Sequence, residues 1–329
     1  MRPLFIGRLL SPFAFAILLI AGCRPAGVAP AAPAPTATGR AAPAPAGNSF
    51  PPELVSFTQQ GDGPVFSAAE PGHWDVKIRE RGWILREDNI YKLWYTGYDG
   101  TATGRRMLGY ATSPDGVRWT RHPGNPLVPD HWVEDVMVVK DGSRYVMFAE
   151  GENDLAQLLT SPDGIKWDRV GRLDVRQADG RPIPDGPYGT PTAFRDGSRW
   201  LLFYEREDKG VWLAASDDLK VWRNVRDEPV LSPGPGDYDR DMIALNQVIK
   251  HGGRYYAYYH GCATTGPDAR KWSVGVAVSD DFLHWEKYPG NPLLPVAENK
   301  SSGILVDTGE GFRLYTVHPA VYLHTPRGR

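Results

Sequence analysis

The chain has 329 residues, 41% hydrophobic and 11% aromatic, with 36 glycines, 30 prolines and two cysteines. That length can bury a large core. The formal net charge of −2, with both signs interspersed, excludes the basic stripe on which a nucleic-acid binder relies.

Residues 1–22 read as a targeting segment. Arg2 and Arg8 precede an apolar run that is too short, and too interrupted by Pro12, to span a membrane. The run ends in Ile20-Ala21-Gly22-Cys23, which looks like a bacterial lipobox, in which Cys23 is acylated and becomes the mature N-terminus. The alternative is an ordinary secretory signal that contains a cysteine. Acylation predicts a protein held to the bacterial cell envelope by a lipid anchor, on its periplasmic or cell-surface side. Residues 23–52 are Ala, Pro, Thr and Gly with few large apolar side chains, a composition that predicts a disordered Pro/Ala-rich tether. With Cys23 acylated, Cys262 has no disulfide partner, so stability must come from the core.

Residues 53–329 alternate aromatic and β-branched runs with Gly, Asp and Asn turns, and no helical periodicity is sustained. Five hairpins are legible: 84–97, 136–151, 192–207, 247–261 and 304–318. The first four are each followed by a third strand and by a repeated turn: SPDGVRW (113–119), SPDGIKW (161–167), SDDLKVW (216–222) and SDDFLHW (279–285). Their tryptophans are 48, 55 and 63 residues apart, a period that points to a propeller or solenoid. Four strands per unit in five units predict an all-β, five-bladed β-propeller. The fifth unit lacks its own SxDxxxW turn, so SFTQQGDGPVF (56–66) is expected to pair with the last blade and close the ring. The repeated Trp and Asp recur once per blade, which assigns them to turns and blade packing.

In each hairpin the first strand starts and the second strand ends on one rim, which gathers a ring of charged and aromatic residues. Carboxylates there suit glycosidic cleavage, which needs one carboxyl group to protonate the leaving oxygen and a second group to activate water or attack. Asp135 is the first candidate, since a Glu-Asp pair ahead of an apolar strand core is an odd place for two charges. Asp75, after His73-Trp74, and Glu80, in register with Glu134, compete for the first blade's carboxylate. Glu205 or Glu150, raised in pKa by burial beside aromatics, could be a general acid. Glu134, Arg81, Trp74, Tyr188, Thr190, Asp241, Asn246, His260, Lys300 and His318 are the candidate substrate-binding residues. Lys77, Arg79 and Arg81 alternate as on one strand face, a pattern compatible with phosphate. No metal motif is visible among the eight histidines, and no cofactor is called for.

The unit order and motifs resemble the five-bladed propeller glycosidases of families 32, 43 and, most closely, 130, the β-mannoside phosphorylases and mannosidases. Val133-Glu134-Asp135 is similar to the start of a Val-Glu-Asp-Pro-Arg element in family 130 and to the Arg-Asp-Pro element of family 32. Tyr259-His260-Gly261 is similar to a Tyr-His-Gly of family 130. Val136 and Met137 depart from the Pro-Arg of the first motif, and Gly189-Thr190-Pro191 stands where family 32 carries Glu-Cys-Pro. The resemblance implies Asp135 as an active-site carboxylate, a carbohydrate substrate and, through family 43, room for a structural Ca²⁺ in the central channel. The expected protein is a monomeric, lipid-anchored glycoside hydrolase. A non-catalytic glycan-binding propeller and a mannoside phosphorylase are the alternatives, and an exported location disfavours phosphorolysis, since a sugar phosphate would be lost.

Overall fold

A computed structural model of the protein describes residues 49–328. The lipobox, Cys23 and most of the Pro/Ala-rich segment lie outside the described residues. The architecture is all-β, with five antiparallel sheets arranged as the blades of a five-bladed propeller and, among the described residues, only three short helical turns.

The first blade is built from Lys77–Ile78 and Trp83–Glu87 as an interrupted innermost strand, then Ile90–Tyr98, Met107–Ser113 and Thr120–Arg121. The second runs outward through Glu134–Asp141, Arg144–Gly151, Leu155–Ser161 and Asp168–Arg172. Gly189–Asp196, Arg199–Glu205, Val211–Ser216 and Val221–Asn224 form the third. An unforeseen outer strand, Asp174–Arg176, runs parallel to its edge. The fourth consists of Met242–His251, Arg254–Cys262, Ser273–Ser279 and Glu286–Lys287. In the fifth, Ser301–Asp307, Phe312–His318 and Tyr322–Pro326 are joined at the outer edge by Phe57–Gln59, in the register Phe57 to Pro326. Phe66 bridges Val321 of the same strand region. The five innermost strands neighbour one another in a ring around the axis.

The repeated turn explains how each blade ends and how it meets the next. In the first copy Ser113 Oγ accepts from Gly116 N–H at 2.8 Å, and Asp115 Oδ1 accepts from the N–H groups of Val117 and Arg118 at 2.9 and 2.8 Å. The fourth copy repeats this with Ser279 and Asp281. The position after the Asp needs a left-handed backbone: Gly116 (φ 73°), Gly164 (78°), Leu219 (65°) and Phe282 (64°). Gly takes it freely, whereas Leu219 and Phe282 hold it at a cost of about 1–2 kcal/mol. Each turn tryptophan then stands edge-on to an aromatic ring next to its blade. Trp119 meets Phe66, Trp167 meets Trp94, Trp222 meets Phe148 and Trp285 meets Phe203, with centroids 5.8–6.5 Å apart. Such pairs add about 0.5–1.5 kcal/mol each beyond the area they bury.

Polar ties cross the same seams. Gln247 clasps the backbone of Leu305, accepting from its N–H at 2.7 Å and donating to its carbonyl at 2.9 Å. Thr192 Oγ1 donates to Leu245 O, and Tyr315 Oη donates to Gly116 O. Ahead of the first strand, the turn Pro52–Val55 buries Leu54, whose carbonyl accepts from Tyr258 Oη at 2.7 Å.

Candidate active site

Near one level the innermost strands lose regular pairing. The first blade's strand breaks between Ile78 and Trp83, and the ladders slip between Glu134 and Met137, Gly189 and Thr192, and Leu245 and Gln247. Arg81 (φ 53°), Asp135 (49°), Thr190 (45°) and Ser302 (57°) take left-handed backbone at this level, and Asn246 lies within the fourth blade's slip. Bulges re-aim side chains, and non-glycine residues hold such dihedrals only where the surroundings impose them, often at functional sites. All five of these residues are polar, and all five are buried. The expected alternation of Lys77, Arg79 and Arg81 on one face does not hold, because the strand is broken between Ile78 and Trp83 and Arg81 has left-handed backbone.

Arg81 is spent on the scaffold. Nη1 donates to Asp135 O at 3.1 Å, and Nη2 donates to Pro191 O and Thr192 Oγ1, both at 2.7 Å, so one buried guanidinium joins three blades.

Beside it lies a cavity of about 120 Å³ into which Arg79, Glu80, Asp135, Glu150, Glu205 and Asp208 converge. Gly189 is what lets them meet. A Cβ at Gly189 would stand 2.1 Å from Glu150 Oε2 and 2.7 Å from Glu205 Oε1, so the missing side chain is replaced in space by two carboxylates from second strands. Glu150 Oε2 accepts from Thr190 N–H at 2.9 Å, Glu205 Oε1 from Gly189 N–H at 3.1 Å, and Asp135 Oδ2 from Thr190 Oγ1 at 3.2 Å. Glu134 is the cross-strand partner of Glu150 and lies 3.4 Å from Arg106 Nε. Among the carboxylates lining the cavity, Glu80 Oε2 and Asp135 Oδ1 are buried with no hydrogen-bond partner among the described residues, as is Oε2 of the neighbouring Glu134.

These groups do not titrate alike. Burial, reinforced by Glu80 and Glu134, pushes Asp135 well above the ordinary aspartate range against the pull of Arg81 and Arg79. Burial and then Asp135 do the same to Glu150, while Glu134 and Glu205 are raised chiefly by burial. Burial with Glu205 beside it pushes Asp208 up to about 8. Glu80 goes the other way. Burial opposes its charge, but Arg79, 3.2 Å away, with His318 and His260, holds it below the ordinary glutamate value. A cluster so crowded keeps some of its protons at neutral pH.

His260 also lines the cavity, edge-on to Trp272 with centroids 4.9 Å apart. Asn246 Nδ2 donates to its Nδ1 at 2.8 Å, and burial lowers its pKa to about 4, so the neutral ring carries its proton on Nε2. His318 is likewise lowered by burial, and its Nδ1 has no partner among the described residues.

Other candidates from the sequence stand apart from this cluster. Asp75 accepts from Tyr95 Oη at 2.8 Å and from Arg121 Nε at 3.0 Å, within its own blade, and Trp74 stacks on Tyr95. The fourth blade repeats that arrangement with Asp239, Tyr259 and Lys287. Asp241 is occupied by the N–H and hydroxyl of Thr264, and Lys300 by Glu298 and Gln59. Tyr188 lines a neighbouring cavity. Sequence reasoning passed over Asp208, Asp154 and Trp272. Asp154 and Asp208 sit in left-handed turns just after Glu150 and Glu205, so a second acid in the turn following each hairpin was the available signal. Glu134, Glu150 and Asp154 offer oxygens within 4.8 Å of one another, a spacing a divalent cation accepts, though Arg106 and Arg79 already stand beside Glu134.

No protein-family model matches the chain. By sequence it is 25% identical over 228 residues to a 1,2-beta-oligomannan phosphorylase of Thermoanaerobacter, covering 63% of this chain and 72% of that one. It is 24% identical over 209 residues to a fructan beta-fructosidase of Streptococcus mutans, which covers 56% of this chain but 14% of that much longer protein. Among solved structures, a candidate glycosidase of Bacteroides thetaiotaomicron superposes with a TM-score of 0.69 at 17% identity, over 86% of this chain and 100% of that one. A glycosyl hydrolase of Bacteroides ovatus follows with a TM-score of 0.66 at 18% identity, over 82% and 92%. A structure from a study of mannoside phosphorylases of family GH130, among them hydrolases targeting β-1,2-mannosidic linkages in Candida mannan, gives 0.62 at 18% identity, over 82% and 93%. With the solved structures the shared feature is the fold.

Proposed function

We propose that the protein is a glycoside hydrolase whose central cavity cleaves a glycosidic bond, with Asp135 as general acid and Glu80 as the carboxylate that activates water. The observation that carries this reading is a pair of carboxyl groups lining one cavity, each with a buried oxygen free of partners among the described residues, whose surroundings push them in opposite directions. Asp135 is pushed towards its protonated form and Glu80 towards its ionised form, and each has one oxygen without a protein partner. Environments that drive two carboxyl groups apart assign acid and base. As the C–O bond breaks, the proton of Asp135 passes to the leaving oxygen. Water gives its proton to Glu80 while its oxygen bonds to the anomeric carbon. Proton exchange with solvent restores both groups. Thr190 Oγ1 orients Asp135, and the Nε2–H of His260 is a donor for a sugar hydroxyl. The relatives described above, which act on mannosides and fructans or are glycosyl hydrolases, support a carbohydrate as the partner.

Phosphorolysis competes on one specific observation, the Arg79 guanidinium lining the cavity. Product identity decides. The purified chain, incubated with β-1,2-mannan, fructan and xylan fragments with and without inorganic phosphate, is expected to release reducing sugar in both conditions. A sugar phosphate formed only when phosphate is present would replace hydrolysis by phosphorolysis, and no product with any glycan would leave a binding protein.

The pairing of Phe57–Gln59 with Tyr322–Pro326 is read as the clasp that closes the ring. The lipobox motif at Cys23 supports a lipid anchor in a bacterial envelope. Cells expressing the chain with labelled palmitate are expected to yield labelled protein in the membrane fraction, and Cys23→Ala is expected to abolish the label. A Cys23→Ala protein that keeps the label would remove the anchor from this account.

A further inference from the structure

The central cavity is not isolated. Pro187 lines it and also lines a second cavity of about 410 Å³, which in turn shares Leu155 and Arg172 with a third of about 110 Å³. The three follow one another outward over the second and third blades. The middle cavity has the two-sided lining that a pyranose or furanose ring requires. Ile183, Pro187 and the half-buried Tyr188 offer apolar surface for ring C–H faces, and Asn153, Arg172 and Asp185 offer polar groups for hydroxyl edges. Tyr188 is held in place, because its hydroxyl donates to Leu173 O at 2.9 Å and its ring meets Tyr204 edge-on. Arg172 stands where the second and third cavities join. It is exposed, and among the described residues its guanidinium has no hydrogen-bond or ion-pair partner. Beyond it the third cavity is polar, with Gln157 fixed between Arg169 and the carbonyl of Trp132.

We infer that this row of cavities is a groove for the continuing chain of an oligosaccharide, and that Arg172 sets the preference for chain length by binding the units beyond the one held in the central cavity. The inference rests on the carbohydrate reading above but not on catalysis. A chain leaving the central cavity by way of Pro187 enters the middle cavity beside Tyr188 and reaches Arg172 where that cavity joins the third, so each added unit brings more of the chain within reach of Arg172. The guanidinium is a planar fork of donors matched to vicinal hydroxyls or to a sugar carboxylate, and it has no competing partner to displace.

The test uses β-1,2-manno-, β-fructo- and β-1,4-xylo-oligosaccharides from disaccharide to hexasaccharide, with binding measured by calorimetry and turnover measured in parallel. In at least one series affinity is expected to rise with length. Arg172→Ala is expected to remove about tenfold of the affinity for the longest members and progressively less for shorter ones. Arg172→Lys keeps charge but not the fork and is expected to recover part of the loss. Affinity independent of length, an equal loss at every length, or no binding in any series would overturn the groove. Length-dependent binding without turnover would instead uphold the groove and overturn the hydrolase, so the two failures are distinguishable.

Discussion

Asp135→Asn is expected to lower turnover by about 10²–10⁴-fold, the contribution general acid catalysis makes when the proton donor is lost, while leaving the protein folded. The amide keeps the size of the carboxyl group and can still accept from Thr190 Oγ1, but it has no proton for the leaving oxygen. The pH profile sharpens the test. Glu80, held low, is ionised above its depressed pKa, and Asp135, raised by burial, is protonated below its elevated one. Activity should therefore fall on the acid side as Glu80 gains its proton and on the alkaline side as Asp135 loses its own. Stability follows the same shift. A carboxyl group whose folded-state pKa is raised contributes stability that is fully present below its unfolded pKa, about 3.9 for Asp, and is lost as pH rises through the folded value. The amide has no charge to bury, so above that value the variant should melt no lower than the wild type. Reducing-sugar release and thermal melting, each across pH, measure both effects. Unchanged turnover would take Asp135 out of the reaction, whereas joint loss of turnover and melting temperature would make it a strut.

Arg81→Met is expected to show the opposite pattern, with a large loss of stability. Met replaces the apolar stem of the side chain but abandons the carbonyls of Asp135 and Pro191 and the hydroxyl of Thr192, all buried. It also removes a positive charge that interacts with Asp135 and Glu150, in a group lowered to about 10 mainly by burial. Removing one member of a buried charged network costs about 3–5 kcal/mol. For a domain of this size that corresponds to a fall in melting temperature of about 5–15 °C. A variant that melts normally but binds glycan weakly would make Arg81 a ligand.

The five-bladed architecture was legible because it is written locally. Each hairpin carries its own turn chemistry, and Ser113, Asp115 and Trp119 recur with the same hydrogen bonds and the same edge-on packing in later blades. The parallel strand Asp174–Arg176 was hidden, being three residues long and stabilised by a neighbour rather than by its own pattern. In the site, adjacency misled where tertiary structure decides. His73 and Trp74 made Asp75 look like the first blade's catalytic carboxylate, yet Asp75 and Tyr95 stand 20 residues apart, as do Asp239 and Tyr259, and Asn125 and Asn291 each donate to the tyrosine of their set. A motif repeated in two blades reads as scaffold, and aligning those blades would have revealed it. The convergence of Glu150 and Glu205 was not legible at all, because it depends on the volume Gly189 leaves empty.

The left-handed residues near the axis carry a consequence for how such a protein can diversify. In an ordinary β-ladder, altering a side chain at the axis also alters cross-strand contacts, so chemistry and stability change together. Here Arg81, Asp135, Thr190 and Asn246 sit at interruptions, one to a blade, and Ser302 takes left-handed backbone in the fifth without a change of register, while the regular pairing resumes within a residue or two on the hairpin side. The blades thus supply five slots set off from the ladders behind them, of which those of the first three blades are tied together by Arg81 and by the bond from Thr190 to Asp135. One slot holds the strut Arg81, so on the reading proposed above a change of reaction type, or of recognition without reaction, would come through substitutions at the other slots of this one layer.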